Sequence, residues 1–169
     1  MPRVFVCLVI GNLIVLAATA ALGIVLERVQ ADVHVALAVF SLLVSCFVQV
    51  SAFMYVNVTA RAMTQAIHLG KLDTSSLPGL RRTKRSMVHA LAMVVLGVVA
   101  VTATGAVHWQ SGDLSVWHWA AAGALFLLHL AAFFREYSLI VEHSAQVSQV
   151  MSTYAEYADR RRAEFVPKK

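Results

Sequence analysis

The residues in this chain with the most chemical potential are histidines set in stretches that hold no charge. Between Leu114 and Phe134 there is no Lys, Arg, Asp or Glu, yet His118 and His129 lie there eleven residues apart. Eleven residues make about three full helical turns, so the two imidazoles share a face, and Glu136 and His143 extend that face in steps of seven. Polar and ionisable side chains are costly inside an apolar span, so each needs a partner or a task. His34, His108 and His118 stand at the ends of three apolar stretches, with Trp109, Trp117 and Trp119 at the same level. Facing imidazoles at one depth are the axial ligands of a haem. Neutral imidazole nitrogens, with Asp32 or Glu27, also suit zinc or copper. An apolar pocket there would suit a pigment or quinone. The plainer reading is that Trp and His sit where hydrocarbon meets headgroups, because each has an apolar body and a polar tip.

His129 is deeper, about 16 Å of helical rise below His118. Gln49, Ser45, Thr102 and Thr104 are its candidate partners if it is a hydrogen-bonded core histidine. Otherwise it is a cofactor ligand or a member of a proton relay. The candidate cofactor set is therefore His34, His108, His118 and His129, with haem b the group considered first. His89 is about eight residues of rise from His129, which argues against one iron bound by both. Glu136, beside Arg135, reads as half of an interface ion pair. The sequence contains no GxxxxGK[ST] phosphate loop, HExxH helix or GxSxG elbow, and no pair of carboxylates within the apolar stretches. No proline interrupts those stretches, whereas ion-driven carriers often use broken helices. Four apolar stretches with scattered histidines resemble membrane cytochrome b subunits in architecture, with no motif matching residue by residue. That resemblance implies electron transfer through haem b, and fold-level likeness does not by itself establish function.

The elements that must position these groups follow from the charge distribution. The chain has 169 residues, of which 59% are hydrophobic and only 14% charged, with mean hydropathy +0.71. The charges avoid four windows, Val4–Leu26, Val33–Ala60, Met87–Gly112 and Leu114–Phe134. Each window is about the 20 residues that a helix needs to cross a hydrocarbon core. Within such a core the backbone must satisfy its own hydrogen bonds, which selects helices. The alternating ten-residue segments of a barrel are missing. Spans are expected at 4–26, 33–58, 87–109 and 115–139. The first exceeds the roughly 7–15 apolar residues of a signal-peptide core and reads as a span.

Thirteen of the fourteen basic residues then fall on one side, with only Arg28 on the other. Lys and Arg are retained on the cytoplasmic side, so both ends are expected there. The cluster Arg81, Arg82, Lys84 and Arg85 matches anionic lipid headgroups better than nucleic acid, since no aromatic residues interleave it for base stacking. The inner connection is broken at Leu72–Gly79, and Thr59–Leu69 can continue the second helix. Nothing interrupts Phe134–Phe165, so the last helix is expected to project. On that extension Val147, Val150, Tyr154 and Tyr157 follow the 3-4-3 spacing of a helix-pairing seam. Such a seam can dock on the chain's own inner connection or on another helix. Cys7 and Cys46 sit at different depths with no CxxC spacing, so neither a disulfide nor a thiolate metal site is expected.

Asn12, Thr19 and Gly23 share a face of the first span, His34, Ala38, Ser41 and Ser45 one of the second, and Ala90, Gly97, Thr104 and His108 one of the third. Small residues let helices approach closely in lipid, so these faces are expected to meet. The expectation is an all-α integral membrane four-helix bundle with both ends inside, comprising a transmembrane domain over 1–141 and a cytoplasmic helical tail over 142–169. The leading functional expectation is a non-catalytic accessory or scaffold subunit of a larger assembly in a bacterial inner membrane. Its partners would be lipid and other subunits or a second copy, not nucleic acid. The alternatives are a haem b electron-transfer subunit and, more distantly, a small carrier or channel.

Overall fold

A computed structural model describes the backbone of residues 2–26, 31–111 and 115–165. Side chains are described for the same residues except 24–26, 31–32, 76, 78, 106–111, 115 and 165. His108 and Trp109 therefore lie within a described helix, but their side chains, like those of Glu27 and Asp32, fall outside the described residues. The described chain is all-helical: α1 (Pro2–Leu26), α2 (Ala31–Gly70), a short 3-10 turn (Thr74–Ser76), α3 (Leu77–Ser111) and α4 (Ser115–Phe165). All four long helices are long and apolar enough to cross a membrane.

Side-chain distribution departs from that of a water-soluble bundle, with large apolar side chains on the surface and several polar ones in the core. Leu43, Phe47, Ile14, Leu96 and Leu127 are more than 60% exposed, while Asn12, Ser41, Ser45, Gln49, His129, Glu136 and His143 are buried. Water would drive those apolar side chains inward; a hydrocarbon surround does not.

α2 and α4 run parallel through the middle of the bundle. The pairs His34–His118 and Thr59–His143 both join residues 84 apart, so the two helices keep one register over their length. α1 runs antiparallel to α2, as Asn12–Ser45 and Thr19–Ser41 require. α3 runs antiparallel to α4, with Gly97 against Leu125 and Leu128 and Gly105 against His118. Two apolar clusters fill the rest. Phe5, Val9, Val48, Ala52, Val56, Met87 and Ile140 join all four helices. Ala60, Met63, Ala66, Ile67, Leu80 and Val150 join only α2, α3 and α4, forming a three-helix extension beyond the start of α1.

The α2–α3 connection is tighter than the expected Leu72–Gly79 break. Leu72 N–H donates to Ile67 C=O (3.0 Å) and Lys71 N–H to His68 C=O (3.4 Å), with Lys71 at φ 51°. This is a Schellman closure with lysine in the left-handed position that glycine usually takes. Glycine stands one residue earlier, where a Cβ would lie 3.0 Å from Leu72 Cγ and 3.1 Å from the Tyr154 ring. The Asp73 carboxylate accepts from Ser75 N–H (3.0 Å). α3 then starts at Leu77, with Pro78 in its first turn, where the missing N–H breaks no helical bond. Arg81, Arg82, Lys84 and Arg85 thus lie on the opening turns of α3, ahead of the span expected from residue 87.

Candidate functional site: a buried polar column

The inward face of α4 carries the expected stripe, and its partners come mostly from α2. At one end the His34 and His118 rings meet edge to face with centroids 6.4 Å apart. α1 and α3 close directly onto them. A Cβ at Gly23 would lie 2.6 Å from His34 Cε1, and one at Gly105 would lie 3.1 Å from His118 Cε1. Helix backbone, not open space, flanks these two candidate ligands, and a macrocycle needs open flanks. His129 is about three turns deeper and does not join them. Among the described residues no group of three or more His, Cys, Asp or Glu side chains is placed to hold a metal ion.

Below the histidine pair, Ser41 bonds Thr19 of α1 and also donates to Leu37 C=O. One turn further, Ser45 donates to Asn12 Oδ1 at 2.8 Å. These bonds fasten α1 to α2.

His129 is 4% exposed, and its Nδ1 faces Leu125 C=O at 2.9 Å. None of the four expected partners serves it. Gln49 is engaged with Glu136, Ser45 with Asn12, and Thr102 and Thr104 with backbone carbonyls of their own helix. Threonine hydroxyls in apolar helices readily turn back to the preceding turn, which leaves them unavailable across the bundle. A carbonyl can only accept, so Nδ1 carries the proton and Nε2 is a bare acceptor.

Glu136 corrects a second expectation. It is 1% exposed and accepts from Gln49 Nε2 at 3.3 Å. Arg135 points away and donates from Nε to Ser86 Oγ at 3.0 Å. Adjacent helical residues project about 100° apart, so the two side chains belong to different faces.

His143, fully buried, meets Thr59 with Nε2 2.6 Å from the hydroxyl, and Tyr55 packs edge-on against its ring. Thr59 also lies 2.6 Å from Tyr55 C=O, which takes the hydroxyl proton. His143 Nε2 is then the donor to Thr59, leaving Nδ1 bare. Thr59 was not singled out from sequence, although it stands fourteen residues, nearly four turns, from Ser45 on the same face.

The basic cluster divides between two faces. Lys84 joins Arg61 and His68 along a groove between α2 and α3. Arg82 and Arg85 line a second groove with His89 and Arg135. Of the expected pairing seam, Val150 is buried in the three-helix cluster and Val147 and Tyr154 pack against it, while Tyr157 lies beyond and is half-buried. Cys7 is exposed and Cys46 half-buried, both as free thiols.

No family model, curated protein or solved structure matches the chain.

Proposed function

We propose that this chain is a non-catalytic integral membrane subunit that joins a larger assembly as an accessory or scaffold component. On this reading four helices span a bacterial inner membrane, both ends are cytoplasmic, and the basic clusters meet anionic headgroups. The observation that carries the proposal is the overhang of α4. α2 ends at Gly70, which sits against Tyr154, whereas α4 continues to Phe165. Residues 155–165 add about 16 Å of helix beyond Tyr154, the last α4 residue packed on the three-helix cluster. Isolated helices that short are marginal in water, and the exposed pairs Arg160–Glu156, Arg161–Glu164 and Arg162–Asp159 along this one add little. A helix of a partner subunit, or the same stub in a second copy, is the occupant that suits it.

The internal polar bonds fit the same role. Asn12–Ser45, Thr19–Ser41, Gln49–Glu136 and Thr59–His143 each tie one helix to another, and such bonds fix register between helices in lipid.

The test is truncation after Tyr154, which keeps Val147, Val150 and Tyr154 in the chain's own core. We expect unchanged thermal stability in mild detergent, together with loss of the higher-mass assembly by native mass spectrometry. An unchanged assembly mass refutes the docking role. Truncation after Ser144 should instead destabilise the protein itself, since it removes Val150 and Tyr154 from the inner cluster.

A further inference from the structure

Register-fixing bonds do not explain everything buried on the inward face of α4. His129, Glu136 and His143 are 4%, 1% and 0% exposed, and each retains one buried polar atom with no hydrogen-bond partner. These atoms are His129 Nε2, Glu136 Oε1 and His143 Nδ1. If helix pairing were the only task, Gln at 136 could serve it without burying an acid. A buried ionised carboxylate with a single 3.3 Å hydrogen bond is expensive, and a protonated one would leave its O–H without an acceptor. Either form calls for an additional occupant.

The spacing limits what that occupant can be. The three residues are seven apart, about 10.5 Å of rise at each step. A single metal ion held at roughly 2 Å from each ligand cannot touch two of them. Protons passed between lone pairs through intervening water can, and each imidazole is set up for that task. Both carry their hydrogen on the nitrogen already bonded within the chain, and both leave the other nitrogen bare. The column continues at either end. Toward the histidine pair it runs through Ser45–Asn12 and Ser41–Thr19. Toward the basic end it reaches Thr59 and Lys84, which lies close enough to act electrostatically on His143.

We infer that α4 carries a proton-transfer column, with Glu136 as the proton-binding site between His129 and His143. The inference rests on the four-span reading and is independent of α4 docking. Binding forms one O–H bond at Glu136 Oε1, and release breaks that bond toward water or an imidazole lone pair. No electrons move and no other reactant is required. Among the described residues, the groups along the column are Asn12 and Thr19 of α1 and Ser41, Ser45, Gln49, Tyr55 and Thr59 of α2, with the charge of Lys84 of α3 felt at His143. Arg135 is turned to Ser86, and Glu142 lies near Gln146 on the exposed side.

The test uses full-length protein in liposomes containing a trapped pH indicator, with a potassium diffusion potential to drive protons. Under that potential wild type should change the internal pH faster than protein-free vesicles do. Glu136→Gln should remove that excess flux by about a hundredfold, the lower range for a positioned proton-transfer group. Glu136→Asp should restore part of it. Loss of partner binding on truncation after Tyr154 should leave the flux unchanged, which separates this inference from the scaffold role. Wild-type flux equal to that of empty vesicles overturns the inference, as does equal flux from wild type and folded Glu136→Gln. If Glu136→Gln does not fold, infrared spectra of wild type with carbon-13-labelled glutamate decide. A solvent-shielded carboxyl band that changes with pH supports proton exchange, and an invariant band refutes it.

Discussion

Gly23→Ala is the sharpest probe of how the histidine end is packed. The new Cβ would lie 2.6 Å from His34 Cε1, 2.9 Å from His34 Nδ1 and 3.1 Å from Trp119. Both neighbours are rigid rings, and His34 is backed by His118. Overpacking of this kind costs about 1–3 kcal/mol. Alanine also gains up to about 1 kcal/mol over glycine in a helix interior. Gly11→Ala and Gly123→Ala supply the reference, because a Cβ at either would meet nothing within 4 Å. The helix-propensity gain is common to all three variants, so subtracting Gly11→Ala from Gly23→Ala isolates a steric cost of about 1–3 kcal/mol. Gly97→Ala should fall between them. Its contacts, 2.8 and 3.0 Å, are to the methyl ends of Leu125 and Leu128, which can turn aside. The assay is unfolding in mixed micelles by denaturing detergent, followed by far-ultraviolet circular dichroism. His34→Ala in the Gly23→Ala background should recover much of the steric loss, since it removes the struck ring. If Gly23→Ala is as stable as Gly11→Ala, the packing of α1 against α2 and α4 described above is wrong.

Thr59→Val should leave the buried His143 N–H unpaired and cost about 1–3 kcal/mol in the same unfolding assay, whereas Thr59→Ser should cost far less. Lys71→Gly should stabilise the protein by about 1 kcal/mol, because it relieves a left-handed backbone at a non-glycine residue. The backbone flanking His34 and His118 predicts an absorption spectrum without haem bands after dithionite reduction, and reduced bands lost in His34→Ala would contradict this packing. Hydrogen bonds from Ser75, its side chain first and then its amide, hold the Asp73 carboxyl below the ordinary range. A carboxyl lowered in the folded state contributes above its unfolded value and loses that contribution as pH falls through the lowered one. The protection of the Ser75 amide against exchange, taken relative to its intrinsic rate at each pH, should therefore fall on acidification, and Asp73→Asn should flatten that profile.

The gaps in the charge pattern were enough to determine four long apolar helices, because even one ionised side chain per turn would make hydrocarbon burial prohibitive. Helical periodicity likewise placed His129, Glu136 and His143 on one face, and all three are buried. The absence of Gly and Pro after Phe134 marked α4 as continuous to Phe165. Periodicity defines a face of a single helix, however, and says nothing about which residue on a neighbouring helix stands at the same height. That height depends on a few close contacts, such as Gly23 on His34, Gly105 on His118 and Gly70 on Tyr154. Only the assembled bundle could therefore give Gln49 to Glu136 and Thr59 to His143. Only the bundle shows His129 turned back to its own helix, with Nδ1 on the Leu125 carbonyl. Arg135 and Glu136 are neighbours in sequence, and the pitch of α4 sends one to Ser86 on α3 and the other into the column.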